Sequence, residues 1–265
     1  MNTPVTAVKT INGYEWGNEI GKGTQHLRVN NYIGAWGKVR MTVGCPSHCS
    51  EVELVQTLCH QNIIKYHELD DHTNPDKFYL FMELCASDIS SAINTKAVFK
   101  QLLEGLFYLS TQNVAHHDIK TDNILITADG VVKISDFGVS ERYDPGVGCN
   151  VFFGTPAFQA PEIAKNITGD PYDGHKADVW SAGVILYQIV TGELPFTGGS
   201  VYLLIKSIDN DPVRIPSLSD KRLRDLLTKL LAKEPENRPT AEEALQHPWF
   251  TEETETGEVG CCRIT

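Results

Sequence analysis

The sequence predicts an α+β chain in which strands come first and helices follow. Three observations carry this. Up to Glu83, short runs rich in Val, Ile, Tyr and Phe alternate with glycine-containing turns. Beyond Lys96, apolar residues recur at helical spacing over long stretches. A chain of 265 residues, 41% hydrophobic and 22% charged, can bury a full core, and its length fits one large domain or two lobes sharing a cleft.

In order, residues 14–23 (YEWGNEIGKG) read as a strand entering a Gly-rich turn, where missing Cβ atoms let backbone N–H groups approach phosphates. Residues 27–33 and 36–43 form a hairpin. The run EVELVQTLCHQNII from Glu51 is amphipathic, with Val52, Val55 and Leu58 at helical spacing. Residues 63–69 and 78–83 are strands, and FYLFMELCA then changes character as though leaving a sheet. Residues 96–110 form a helix whose apolar face is Val98, Leu102, Leu103, Leu106 and Leu109. A strongly apolar helix begins at Asp178, where an acid at the N-terminal end caps it. VYLLIKSI, LRDLLTKLLAKEP and AEEALQHPWF supply the remaining helices; no internal repeat or long low-complexity linker interrupts them.

Composition excludes several functions. A formal charge of −11 and a pI near 5.2 disfavour nucleic acid, whose phosphates need clustered Lys and Arg, and disfavour loose binding to anionic membranes. An acidic body tolerates basic peptides. No run of eighteen apolar residues occurs and the N-terminus lacks a signal-peptide layout, so an intracellular, cytoplasmic protein is expected. The seven cysteines are odd in number and scattered, unlike a disulfide framework. Cys45, His48, Cys49, Cys59 and His60 cluster locally, but at no zinc-finger spacing, and read as ordinary thiols and imidazoles.

The chemistry concentrates in VAHHDIKTDNILITADGVVKISDFG at residues 114–138. It places Asp118, Asn123 and Asp136 on two turns between apolar strands. A base within reach of a hydroxyl and two oxygen ligands for Mg²⁺ are what nucleotide phosphoryl transfer needs, since that chemistry is mostly positioning and charge neutralisation.

This stretch resembles the catalytic and metal-binding loops of eukaryotic protein kinases. The resemblance implies a bilobal protein-kinase fold: a small, trimmed, β-rich N-lobe over 14–83 and a larger α-helical C-lobe over 86–250, together forming a kinase domain at 14–250. It implies ATP and Mg²⁺, with Asp118 as base and Asn123 and Asp136 as metal ligands. Lys120, two residues after the base, and Thr155 in GTPAFQAPE match serine/threonine kinases, not tyrosine kinases, so the implied substrates are protein Ser and Thr hydroxyls. The peptide-positioning segment through Glu162 disfavours a small-molecule kinase. By the same logic Glu162 pairs with Arg238, and Asp178 braces the catalytic-loop backbone. For the nucleotide, the resemblance assigns Ile20, Gly21 and Gly23 to the phosphate flap and Met82 to the gatekeeper position. The backbone of Glu83 to Cys85 is assigned to the adenine, and Lys38 with Glu51 to the phosphate-contacting ion pair.

Departures are informative. His26 stands at the third flap glycine, Lys38 lies in AWGKVRM, and it precedes Glu51 by only thirteen positions. A degraded flap of this kind is also what a pseudokinase, a nucleotide-binding scaffold without turnover, would show. His117 replaces the Arg that in many kinases binds an activation-segment phosphate, and residues 144–153 (DPGVGCNVFF) contain no Ser, Thr or Tyr. Both features point to activation by a partner or by constitutive order. TPAFQAPE and ADVWSAG are similar to the liver kinase B (partitioning-defective-4) family, which also lacks that Arg; calcium/calmodulin-dependent kinase kinases are the nearest rival. The family resemblance, good over residues 113–250, implies a pseudokinase and a helical-repeat scaffold as activating partners. Flanking segments are an extension at 1–13 and an acidic tail at 251–265. Cys262-Arg-Ile-Thr fits a prenylation box, with Cys261 available for a second chain, so membrane association is expected only if that tail is lipidated.

Overall fold

The computed structural model describes residues 10–11, 14–22, 28–34, 37–44, 49–70, 78–92, 94–166, 168–215, 218 and 220–251. They fall into two compact units. The first takes in the described residues up to Cys59 together with Ile64–Cys85; the second is His60–Ile63 and the described residues from Ala86 onward.

The first unit is an antiparallel sheet with one helix. Its strands are β1 (Thr10–Ile11), β2 (Tyr14–Lys22), β3 (Arg28–Gly34), β4 (Gly37–Gly44), β5 (Tyr66–Asp70) and β6 (Phe78–Glu83), in the order β1-β2-β3-β4-β6-β5. β3 and β4 form the expected hairpin, closing at Gly34 opposite Gly37. Helix α1 (Cys49–Gln56) corrects the sequence reading: it starts two residues before Glu51 and stops well short of Ile64. Thr57 ends it by giving its hydroxyl back to the Leu54 carbonyl at 2.7 Å. The strand expected at 63–69 is also displaced. Ile63 makes only an isolated bridge to Ile134, and pairing with β6 begins at Tyr66.

The second unit is mainly helical. Its short strands are β7 (Ser87–Asp88), β8 (Val114–Ala115), β9 (Ile124–Ile126), β10 (Val132–Ile134) and β11 (Glu141–Arg142). β9 and β10 form a hairpin around Gly130, whose φ of 86° suits a residue without Cβ. β11 lies antiparallel to β8, opposing Glu141 to Ala115. Helix α2 (Thr95–Thr111) is capped by Asn94, which accepts the Ala97 N–H at 3.1 Å; it buries Phe99 beside the five apolar residues its spacing announces. The short α3 (Pro161–Ala164) follows, then α4 (Gly174–Thr191), which is buried along most of its length and ends on Gly192 in the left-handed conformation.

The cap of α4 is Asp173, not Asp178. Asp173 accepts the N–H groups of His175 and Lys176 at 2.9 and 3.1 Å. Asp178 lies a full turn inside the helix, so its carboxylate is available for another purpose. Helices α5 (Val201–Asn210), α6 (Lys221–Leu230), α7 (Ala241–Leu245) and α8 (Pro248–Thr251) complete the unit. Thr240 and Glu243 form a reciprocal capping box on α7. On α8, Trp249 and Phe250 pack their rings against Phe99 of α2, which secures the end of the described chain to the core. Among the described residues no helix is long and apolar enough to cross a membrane.

Candidate active site

The site is built on the loop that leaves β8. Asp178, 3% exposed, accepts the main-chain N–H of His116 at 2.7 Å and of His117 at 3.0 Å. One rigid side chain therefore fixes two consecutive peptide units ahead of Asp118. Burial pushes the Asp178 carboxyl up to about 7 against the opposing pull of those two N–H groups. His117 needs this grip, because its φ of 66° is left-handed; Asp136 shares that conformation at 67°. Such backbone costs about 1–3 kcal/mol in a residue with a Cβ and persists where neighbours hold it.

His116 links the two turns. Its Nδ1 accepts the Asp118 N–H at 3.3 Å and its Nε2 donates to the Ser135 carbonyl at 3.1 Å, a pattern that requires the neutral ring. Burial lowers its pKa in agreement. The ring packs on Phe137, itself fully buried, with centroids 4.9 Å apart.

Around Asp118 the hydrogen bonds converge. Oδ1 accepts the Thr155 hydroxyl at 2.8 Å and the Thr155 N–H at 3.0 Å. Oδ2 accepts Lys120 Nζ at 2.6 Å and Asn123 Nδ2 at 3.1 Å. Lys120 also donates to the Thr155 hydroxyl oxygen at 3.0 Å, closing a ring of three side chains. Burial pushes the Asp118 carboxyl up, but the Lys120 and Thr155 hydrogen bonds and the Lys120 charge outweigh it, and the group lies below the usual carboxylate range. It is thus held as an anion at neutral pH.

Asn123 ends a 3₁₀ turn, Thr121–Asn123, with Nδ2 also given to the Asp118 carbonyl at 2.9 Å. Its own carbonyl takes both the N–H and the hydroxyl of Ser135 at 2.9 Å, so the segments bearing Asn123 and Asp136 are tied together one residue from Asp136. Both offer hard oxygen donors, the set that Mg²⁺ prefers.

Thr155 reaches Asp118 because Gly154 passes against the catalytic loop. A Cβ on Gly154 would lie 2.3 Å from the His117 carbonyl oxygen, and its φ of 109° suits glycine alone. Behind this, the Arg238–Glu162 pair expected from the resemblance is formed as a fork, with contacts of 2.7 and 3.1 Å. The Arg238 side chain is fully buried over the Trp180 ring and also donates to the carbonyls of Lys176, Ala232 and Lys233.

The structure therefore brings together Asp118, Lys120, Asn123 and Thr155, with Asp136 on the adjoining turn. For the nucleotide assignments it says less. Ile20 and Gly21 are backbone positions in β2, with Gly21 opposite Val29; Gly23 lies outside the described residues. Lys38 is in β4 opposite Ile33 and Glu51 is in α1, but their side chains also lie outside the description. Met82 is buried at the end of β6, and Glu83 exchanges N–H and side-chain hydrogen bonds with the Lys65 backbone, followed by half-buried Cys85. Cys261 and Cys262 are outside the described residues.

Sequence reading missed what surrounds His117. Its Nε2 faces Glu141 at 3.2 Å, its Nδ1 faces the Tyr172 hydroxyl at 3.1 Å, and Cys149 is close by. Burial lowers the His117 pKa to about 4 despite the neighbouring Glu141 carboxylate. Glu141, Tyr172 and Cys149 lie 24, 55 and 32 positions away, and no local pattern joins them.

Within the helical unit, the turn from Asp118 to Asn123 gathers a carboxylate, a lysine and an asparagine amide. Residues 38–250 match the family model described as protein kinase domain, and the chain belongs to that family, with its bilobal α+β fold. Among curated proteins it is similar to mouse sperm motility kinase 3A, 38% identical over 241 residues covering 87% of this chain and 47% of that protein. It is also similar to Caenorhabditis elegans serine/threonine-protein kinase par-4, at 35% over 271 residues covering 91% and 44%. Mouse serine/threonine-protein kinase STK11 is 37% identical over 214 residues, covering 76% and 49%. The chain spans about half the length of these relatives.

Proposed function

We propose that this chain is a serine/threonine protein kinase that transfers the γ-phosphoryl group of ATP to protein hydroxyls. The observation that carries the reading is the ring formed by Asp118, Lys120 and Thr155. In it a carboxylate kept ionised at neutral pH stands 2.6 Å from a lysine ammonium. An acceptor Ser or Thr hydroxyl replacing Thr155 at Asp118 Oδ1 would give its proton to that oxygen as its own oxygen bonds the γ-phosphorus and the bond from that phosphorus to the β-phosphate oxygen breaks, releasing ADP. Lys120 is then positioned for the charge on the transferred group, where a fixed cation in a low-dielectric site is worth more than in water. Asn123, whose Nδ2 bonds leave its amide oxygen as ligand atom, and Asp136 would hold Mg²⁺. That ion, when bound, neutralises phosphate charge. Lys38, Glu51 and the Ile20–Gly21–Gly23 flap are proposed for the nucleotide phosphates, and Met82, Glu83 and Cys85 for its base.

We further propose that activity does not depend on an activation-segment phosphate. His117 Nδ1 is engaged by the Tyr172 hydroxyl, and the Glu141 carboxylate, 3.2 Å from its Nε2, repels a phosphate. Contacts of the segment itself support this: Cys149 and Tyr172 exchange both main-chain hydrogen bonds, at 2.8 and 3.0 Å, and Gln159 Nε2 donates to the Phe153 carbonyl at 3.1 Å. A pseudokinase and a helical-repeat scaffold are the partners that the similarity to par-4 and STK11 suggests.

Radiolabelled phosphate transfer to Ser-, Thr- and Tyr-containing peptides tests the reading, with wild type set against Asp136→Ala and Lys38→Met. Label on Ser or Thr that disappears in Asp136→Ala is expected, from protein without phosphate in residues 139–155. Nucleotide binding with no transfer, even with candidate partners added, would falsify the enzyme reading and leave a nucleotide-binding scaffold.

A further inference from the structure

Proton bookkeeping around His117 singles out a second site. The Tyr172 hydroxyl has one hydrogen, and its short contact with the Val151 carbonyl requires that hydrogen, since a carbonyl cannot donate. Tyr172 must then accept from His117, which places the imidazole proton on Nδ1. His117 Nε2 is left as a bare lone pair, 3.2 Å from Glu141 Oε1. Two acceptors at that distance repel unless a cation or an additional proton lies between them. The buried Cys149 Sγ lies near the same Glu141 carboxylate, and one ligand atom from each of the three residues lies within 4.8 Å of the others.

We propose that His117 Nε2, Glu141 and Cys149 Sγ form a binding site for one Zn²⁺ ion that ties the activation segment to the catalytic loop. Imidazole, thiolate and carboxylate are the ligands zinc takes, at bond lengths that put ligand atoms about 3.3–3.8 Å apart. Drawing the three atoms in by roughly 1 Å reaches that spacing, and water supplies the fourth position. The second coordination layer is in place, because Tyr172 already orients the ring through Nδ1, as metal-bound histidines require.

Charge balance suits burial. Zn²⁺ displaces the Cys149 proton to solvent, and the ion with one thiolate, one carboxylate and a neutral imidazole is uncharged overall. Cys149 is 1% exposed and the His117 side chain fully buried, while the Glu141 side chain, 31% exposed, gives the ion an entry path. The three ligands come from the turn after β8, from β11 and from the activation segment. The ion would therefore join the elements that a phosphate joins in kinases with an Arg before the catalytic Asp. The site itself stands whether or not the chain transfers phosphate.

The test uses the full chain carrying Cys261→Ser and Cys262→Ser, stripped with chelator and titrated with Zn²⁺ by calorimetry and with Co²⁺ by absorption. One equivalent is expected, with a thiolate-to-cobalt charge-transfer band and the visible spectrum of a four-coordinate ion. Cys149→Ser should abolish that band, and His117→Gln and Glu141→Gln should each weaken Zn²⁺ binding at least tenfold. Asp136→Ala should bind Zn²⁺ as wild type does, which separates this site from the kinase reading. No charge-transfer band, or one that survives Cys149→Ser, overturns the proposal; the latter would assign the metal to the cysteines near residue 45. Should Cys149→Ser fail to fold, amide exchange in the unsubstituted segment decides. Zn²⁺, but not Mg²⁺, is expected to slow exchange at Cys149 and Tyr172, and unchanged rates count against the site.

Discussion

Thr155 gives both its hydroxyl and its main-chain N–H to a single oxygen of Asp118, at 2.8 and 3.0 Å. Residues 154–155 are in this way registered on Asp118 itself, at the oxygen where the proposed reaction would put the acceptor alcohol. Replacing Thr155 with Val keeps the shape and removes the hydroxyl from both Asp118 and Lys120. Hydrogen bonds to charged groups contribute about 1.5–3 kcal/mol, so kcat/KM should fall roughly 10- to 100-fold. Thr155→Ser should stay within a few-fold of wild type in the same steady-state assay.

Asp178→Asn is the sharpest probe of the bracing role. An amide has one acceptor oxygen, so one of the His116 and His117 N–H groups would face an NH₂ instead. A buried donor left unpaired costs about 1–3 kcal/mol. The urea midpoint should drop accordingly, and phosphate transfer should fall further than stability alone explains, because the left-handed His117 loses its anchor. Unchanged activity in a folded variant would remove Asp178 from the site.

Glu162→Gln leaves the fully buried Arg238 side chain without its counter-charge. The expected loss is about 3–5 kcal/mol, read as a fall in the thermal midpoint. Replacing both partners with apolar residues of similar volume, Glu162→Leu with Arg238→Met, should cost less than the single change. A double variant weaker than the single one would mean that the carbonyls around Arg238, not Glu162, are the main reason for its burial.

His117 should make the metal-free protein acid-sensitive. Its folded pKa of about 4 lies below the ordinary 6.5, so between these values the unfolded chain takes up a proton that the native chain refuses. The contribution to stability is complete above about pH 6.5, is lost as the pH falls towards 4, and amounts to roughly 3 kcal/mol at most. Urea unfolding from pH 7 to pH 5 should show a steeper decline for wild type than for His117→Gln. Parallel declines would show that the imidazole titrates normally in the fold.

Much of the site was legible in the sequence because it is local. Asp118, Lys120 and Asn123 are fixed relative to one another by a turn of six residues, and TPAFQAPE carries its own geometry through two prolines and a 3₁₀ turn. The helical face of α2 was equally readable, since one buried stripe recurs at the helical period. Boundaries and caps were less so. Asp173 and Asp178 are both acids near the start of α4, and only the path of the chain shows which one meets the first-turn N–H groups and which one meets the loop after β8.

Residue order alone is enough to read which side chains are available: the carboxylates of Asp118 and Asp136, a nearby lysine, the Asn123 amide, and a stretch at 144–153 with no Ser, Thr or Tyr. What surrounds His117 is visible only once the chain is folded. His117 is a single departure in the sequence, and its meaning depends on Glu141, Cys149 and Tyr172, which reach it through the pairing of β11 with β8 and the Cys149–Tyr172 bridge. Such contacts follow from how separate segments are packed, a property of the whole chain that short-range residue patterns do not encode.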